Sequence, residues 1–425
     1  MKLLKILGVT LVSILLCFIV LEVAFRWFVP VRPPEPPGWF WKVPDPITGW
    51  SFQPGAEGRW FNEVYEYDVH MKINALGLRS PDIGYDKPDG VYRILILGDS
   101  FTEAAQVELE ETFGQQLARM LNEQGCRVEV VQMGVGSWGN DQELLWLENE
   151  GYKYQPDLII LQIFPRNDIR NNYQPLESAV MGANLKPYFT LEGGELKLHL
   201  FPYDPDEAPP VTNPRATVKV EPPPPGPLTP VGEWLFRHSH IYRWFEPRIR
   251  ILAPRFAAWL ARTGFIKPGR ETQEMGQENA NALPITFNSY RVEYDEEWQR
   301  ASALTQAILA RMKRDARDMG ADFIAVLANA AEEVDPRAWK AMQRKYPELQ
   351  SDDFSPEAAH EHFLHLLAAE EIPALDLRPA FRQALAQGLG PLHFAIDGHW
   401  TPAGHAIAAR ELARFLQEQG FVCSR

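Results

Sequence analysis

Residues 93–102, Arg-Ile-Leu-Ile-Leu-Gly-Asp-Ser-Phe-Thr, constrain the fold more than any other stretch of the chain. Ile94 to Leu97 is apolar without alternation. Such a run reads as a strand buried on both faces, the kind found in parallel sheets covered by helices. Gly98 allows a sharp turn at the carboxyl end of the strand, where open α/β sheets place their ligands. Ser100 then stands at the mouth of a site, with a helix starting soon after. That placement presents a hydroxyl as a nucleophile. Serine is also an ordinary helix N-cap, so Ser100 needs support from elsewhere in the chain.

The flanking pattern is α/β. A helix is expected over 108–123, stopped by Gly125, then a strand over 127–132, a helix over 141–152 and a strand over 158–164. After a lapse from about 171 to 294 the alternation resumes. A helix is expected over 296–319, a strand over 322–327, a helix over 356–369, a short strand over 374–377 and a last helix from Pro402 to Gly420. This order predicts a parallel sheet with helices on both faces. There are no internal repeats.

Within the lapse, Tyr188 to Leu200 reads as a hairpin around Gly193-Gly194. Residues 202–230 are rich in proline, including Pro222 to Pro225, and read as an extended surface loop. Residues 234–265 are helical in pattern and rich in aromatics and arginine. They could cap a site or rest on a membrane, but packing as peripheral helices on the core is the preferred reading. Before the sheet, Trp60, Val64, Tyr65, Tyr67, Val69, Met71 and Ile73 suggest a small antiparallel unit of two or three strands.

Residues 6–21 carry no charge, and apolar character continues to Val29 past Glu22 and Arg26. This predicts a transmembrane helix, with Trp27 and Phe28 at the interface and Lys2 and Lys5 keeping the amino terminus in the cytoplasm. No A-x-A-like site follows, so an uncleaved anchor is expected rather than a signal peptide. The remainder would face outside the cytoplasm, periplasmic or on the outer face. Pro33-Pro34-Glu35-Pro36-Pro37 reads as a stiff spacer. The expected organisation is an anchor over 1–30, a spacer and β unit over 31–90, and the α/β domain over 91–425 with its insertion at about 171–295.

The 425 residues carry a net charge of −14, which argues against nucleic acid as a partner. The three cysteines give no disulfide framework; Cys126 and Cys423 could pair only if the fold brings them together, and Cys17 lies in the apolar run.

Three further stretches add chemistry to Ser100. Residues 131–139, Val-Gln-Met-Gly-Val-Gly-Ser-Trp-Gly, form a glycine-rich turn whose backbone N–H groups can stabilise an oxyanion. Phe164-Pro165-Arg166-Asn167-Asp168 follows a strand and offers the Asn167 amide as another donor, although Asn-Asp is usually a plain turn. Ile396-Asp397-Gly398-His399-Trp400-Thr401-Pro402 places Asp397 and His399 just before the last helix, with Thr401 as N-cap. A histidine near a carboxylate, brought to a serine, makes a general base and its orienter. No metal is expected. His360, His362 and His365 do not form H-E-x-x-H, and His393, Asp397, His399 and His405 gain no cysteine. The helical histidines read as a solvated face.

Together these blocks resemble the SGNH, or GDSL-type, hydrolase family. Gly98-Asp99-Ser100 matches its first block, 132–139 its second, Arg166-Asn167-Asp168 its third and Asp397/His399 its last. The match in order and strand placement runs over roughly 91–170 and 296–420. The resemblance implies a flavodoxin-like three-layer α/β/α fold and ester chemistry without a cofactor. It implies Ser100 as nucleophile, His399 as base and Asp397 as orienter. Asn167 and the backbone N–H groups of Ser100 and Ser137 would form the oxyanion hole, with Gly136 the alternative to Ser137. The family usually has glycine where Ser137 stands, and two residues rather than Gly398 alone between aspartate and histidine. An i,i+2 pair in an extended loop would still point both side chains one way. The expected function is a membrane-anchored extracytoplasmic esterase acting on an acylated envelope glycan. Acyl transfer by the same residues, or glycan binding without catalysis, are the alternatives.

Overall fold

The computed structural model describes residues 2–29, 31, 40–62, 66–181, 186–200, 226–266 and 283–422. The chain divides into two compact units. One holds Met1–Pro37, Glu63–Tyr65 and Lys219–Ala282; the other holds Gly38–Asn62, Glu66–Val218 and Leu283–Arg425.

The larger unit begins with two antiparallel pairs, β1 (Lys42–Asp45) with β2 (Gly49–Phe52) and β3 (Glu57–Phe61) with β4 (Asp68–Lys72). The sequence suggests one unit of two or three strands here. Trp60, Val69 and Met71 of that unit lie on the β3–β4 pair; β1 and β2 form a separate hairpin, whose turn Asp45 closes by accepting the N–H groups of Ile47 and Thr48. Val64 and Tyr65 lie outside the described residues.

The sheet proper follows, with β5 (Tyr92–Gly98), β6 (Val128–Gly134) and β7 (Leu158–Ile163). The hairpin β8 (Tyr188–Glu192) and β9 (Glu195–His199) turns at Gly193-Gly194 as the glycine pair predicts. Then β10 (Asp322–Leu327) and β11 (Ala374–Asp376) complete a five-stranded parallel sheet of order β11-β10-β7-β5-β6. Counted within this sheet, the order is the 2-1-3-4-5 of flavodoxin-like folds. Side chains of the central strands alternate between two cores. Leu95, Leu97, Ile159, Leu161, Phe323 and Ala325 face one, while Ile94, Ile96, Leu158, Ile160, Ile324 and Val326 face the other. Helices cover both faces, so unbroken apolar strands are stable here without polar alternation. Arg93 is a charged residue among them, buried at 1% exposure; its guanidinium donates to the carbonyls of Tyr85, Asp86 and Tyr154 and to Glu129.

The strands before the sheet do not have a core of their own. Trp41, Trp50, Phe52, Met71 and Ile73 belong to the same buried cluster as Leu95 and Leu161. Two bonds tie β2 to the glycine-rich turn: Trp138 Nε1 donates to Trp50 O at 2.9 Å, and Trp50 Nε1 donates to Gly136 O at 3.2 Å.

The smaller unit contains the helices Lys2–Phe28, Thr229–His238, His240–Leu252 and Pro254–Thr263. The helices over 229–263 bury a cluster of Tyr242, Ala257, Leu260, Ala261 and Ile266. The expected transmembrane anchor is not supported. Among the described residues no helix is long and apolar enough to cross a membrane. The uncharged run 6–21 spans only about 24 Å as helix, against a hydrocarbon core of about 30 Å. Beyond it, Glu22 is engaged by protein, accepting from Ser239 Oγ and the N–H groups of His240 and Ile241, while Arg26 donates to His238 O. The proline spacer over 33–37 and prolines 222–225 lie outside the described residues. Cys126 is disulfide-bonded and Cys17 is free; Cys423 lies outside the described residues.

Candidate active site

The strand β5 ends at Gly98, where a Cβ would meet Gln162 Oε1 and Thr102 Oγ1, each at 2.4 Å. Only glycine fits this approach. Asp99, not Ser100, caps the short helix Ser100–Glu103: its Oδ1 accepts the Phe101 N–H at 3.0 Å. Ser100 opens the helix, and the capping reading of its hydroxyl falls away. Its Oγ instead faces His399 Nε2 at 2.7 Å.

His399 reaches the serine from the loop before the helix Pro402–Glu418, which Thr401 caps through the Gly404 N–H. His399 Nδ1 lies 2.6 Å from Asp397 Oδ1. The same oxygen accepts the His399 backbone N–H at 3.2 Å. An extended loop was expected to aim both side chains together. The loop is a turn instead, with Gly398 at φ +88°, and this left-handed residue folds the carboxylate back onto its own i+2 neighbour. One residue between the pair therefore suffices. Burial alone would raise the Asp397 carboxyl, but the hydrogen bond and charge of His399 and the Tyr67 hydroxyl hold it below the ordinary range.

The second-block turn separates its two candidate donors. The Gly136 N–H donates to Glu103 Oε2, inside a buried group that also holds Lys42 Nζ, 2.8 Å from Oε2, and Trp41 Nε1, 2.7 Å from Oε1. It is not available to a ligand. Ser137 has φ +71°, the conformation a glycine adopts, and among the described residues its N–H has no partner. The serine thus keeps a glycine's backbone.

Asn167 stands at the N-cap position of the helix Asp168–Asn172 but makes no side-chain cap bond. Its amide donates instead to Asp99 Oδ2 at 3.4 Å, and its Oδ1 is buried without a partner. The amide thus reaches Asp99, the residue before Ser100, rather than capping its own helix. Behind it, Asp99, Glu143 and Asp168 are fully buried. Burial pushes all three carboxyls up, and their mutual repulsion adds to this for Glu143 and Asp168. Asn140 Nδ2 bridges the latter two, at 2.9 Å and 3.3 Å.

Several contributors carry no local motif. Gln106 Nε2 lies 3.2 Å from His399 Nδ1, and Tyr67 and Glu66 contact the Asp397 loop. Their only signal in the sequence is chemical type, because each acts across a long chain separation. The histidines considered for a metal are engaged elsewhere. His360, expected on a solvated face, is fully buried between Glu333 and Asp376, at 3.3 Å from each. His362 lies 2.9 Å from Arg291 O, His393 lies 3.0 Å from Asn329 O, and His405 accepts the Phe113 N–H. Among the described residues no group of three or more such side chains could hold a metal ion.

A chain of serine, imidazole and carboxylate at these distances can move a proton from the serine hydroxyl, and the free N–H of Ser137 can receive a developing negative charge. Residues 290–423 match the family described as "SGNH hydrolase-like domain, acetyltransferase AlgX". No curated protein matches the sequence. Similar solved structures include a lipase/acylhydrolase from Enterococcus faecalis, at 11% identity and TM-score 0.35, covering 79% of this chain and 98% of that one. An acetylxylan esterase from Geobacillus stearothermophilus, Axe2, is 12% identical with TM-score 0.36, covering 79% and 97%. The acetyl xylan esterase AlAXEase is 10% identical with TM-score 0.36, covering 76% and 99%.

Proposed function

We infer that this chain, whose residues 290–423 belong to an SGNH hydrolase-like family, moves acyl groups through an ester on Ser100. The carrying observation is the continuous Ser100–His399–Asp397 hydrogen-bond chain, at 2.7 Å and 2.6 Å. Ser100 Oγ attacks the ester carbonyl while His399 Nε2 takes its proton. Asp397 orients the imidazole and stabilises its charged form. The N–H groups of Ser100 and Ser137 and the Asn167 amide receive the oxyanion. The intermediate collapses, the leaving alcohol takes the proton from His399, and an acyl-serine remains. Water activated by the same histidine then releases the acid.

A second reading replaces that water with an acceptor hydroxyl, giving acyl transfer. It is favoured by the matched family's description as an acetyltransferase. Both reactions use the same residues and differ in water exclusion. The proposed substrate is an O-acetylated glycan of the cell envelope, outside the cytoplasm. The disulfide at Cys126 supports an oxidising compartment.

A fluorophosphonate probe tests the chemistry. It should label the full chain at Ser100 and fail on Ser100→Ala. An unlabelled wild type would leave a glycan-binding protein without catalysis. Supplying 4-nitrophenyl acetate with an acceptor oligosaccharide, and weighing the products by mass spectrometry, separates transfer from hydrolysis.

A further inference from the structure

The segment before β4 reaches the loop that carries Asp397 and His399 at two levels. Tyr67 Oη donates to Asp397 Oδ2 at 3.1 Å, and its ring meets Phe394 edge-on with centroids 5.3 Å apart. The Glu66 carboxylate accepts the backbone N–H groups of Ile396 and Asp397, both at 2.9 Å. Glu66 is itself fixed: Asn62 Nδ2 donates to its Oε2 at 2.9 Å, and Asn62 Oδ1 accepts its N–H at 2.8 Å. Side chain and backbone of one short loop are thus held from a segment about 330 positions upstream.

We propose that Tyr67 is a positioning residue for the reaction assigned above, holding the Asp397 carboxylate so that Oδ1 alone faces the imidazole while Glu66 fixes the backbone beneath it. The proposal rests on that functional reading and goes beyond it, because neither residue belongs to any of the four blocks. A carboxylate turns readily about its last bond. Here Oδ1 already serves the imidazole and the His399 N–H, so Oδ2 needs its own donor to stop that turn. Tyr67 is 7% exposed and supplies it from inside the protein. Burial and the charge of Asp397 push the phenol well up, so it remains a donor throughout the neutral range. Its donation also draws charge from the carboxylate and so tempers the carboxylate's hold on an imidazolium.

Other charged or titratable groups face the pair from every side. Asp99 lies behind the serine, Glu66 beneath the loop, His393 before it, and His405 in the following helix with Arg79 near it. None of these is altered in Tyr67→Phe. A changed titration of His399 in that variant therefore reports the lost hydroxyl.

The test compares full-length wild type, Tyr67→Phe, Glu66→Gln and Glu66→Ala. It reads kcat, KM and the pH profile with 4-nitrophenyl acetate, and separately the His399 ring titration by nitrogen-15 NMR. In Tyr67→Phe, kcat should fall about tenfold with KM within about twofold. The acid limb and the ring titration should both move to higher pH, because the undrained carboxylate binds the imidazolium more strongly. Glu66→Ala should lose more kcat than Glu66→Gln, whose amide oxygen still accepts one N–H. A lower kcat with an unmoved ring titration would reduce Tyr67 to a structural residue and overturn the proposal, as would no change in either. If wild type hydrolyses no ester, the functional reading fails, and the ring titration alone still decides the role of Tyr67.

Discussion

Glu103 Oε2 accepts the Gly136 N–H and lies 2.8 Å from Lys42 Nζ, so that of the two candidate donors in this turn only the Ser137 N–H is left open among the described residues. The carboxylate thereby shapes the turn without touching a reacting atom. Burial pushes the Lys42 ammonium down, opposed by Glu103. Glu103→Ala removes the carboxylate facing this buried cation, a change that typically costs about 3–5 kcal/mol. Denaturant unfolding should show a loss of that size. The pair replaced together, Lys42→Met with Glu103→Gln, should lose much less.

Ser137→Gly should improve the protein. A side chain in the left-handed region costs about 1–2 kcal/mol, and glycine's greater freedom in the unfolded chain returns about 0.5–1 kcal/mol. A net gain near 1 kcal/mol is expected, with turnover unchanged because the donor is a backbone N–H. Reduced turnover at higher stability would place the serine hydroxyl in the reaction.

Asn167→Ala separates an oxyanion donor from a turn former. Its side chain makes no cap bond and only one long bond, to Asp99 Oδ2 at 3.4 Å, so the melting temperature should fall only slightly. Turnover should fall about 10²–10³-fold with KM nearly constant. Full turnover at a lowered melting temperature would remove Asn167 from the site.

His399→Ala should lose about 10⁴-fold or more in turnover, on the precedent of serine triads, and His405→Ala much less. His405 has another role. It is 1% exposed, and its Nδ1 accepts the Phe113 N–H at 3.2 Å, which only the neutral ring can do. Burial, then the charges of Arg79 and His399, pushes it down to about 3. In the unfolded chain it titrates near 6.5. Because the folded value is depressed, its contribution is fully present above about pH 6.5 and is lost as the pH falls toward 3. Between pH 8 and pH 5 wild type should lose about 2 kcal/mol from this group. His405→Gln should flatten that part of the stability curve, as read by urea midpoints at each pH.

Much of the sheet was legible because its strands are apolar on both faces and alternate with helices, a combination that a covered parallel sheet satisfies. The four blocks were legible because glycine and proline punctuate them. The turn at Gly398 was misread as extended, since spacing does not report the sign of φ. The choice between Gly136 and Ser137 could not be read either: it is made by Glu103, which lies 33 positions away. Residues 6–21 look like a membrane span when taken alone. That pattern does not reveal that Glu22, directly after the run, serves as the acceptor for Ser239, His240 and Ile241.

The serine and its base are 299 positions apart, and Tyr67 is 330 positions from the carboxylate it holds. A ribosome completes Ser100 long before it reaches His399, 299 residues later. Until then the Ser100 hydroxyl has no imidazole beside it, and the Tyr67 hydroxyl has no carboxylate to meet. A chain that stops before residue 399 therefore lacks the Ser100–His399–Asp397 hydrogen bonds, and contacts of such long range make its assembly slow. The order of synthesis by itself keeps the serine and the imidazole apart until residue 399 has been made.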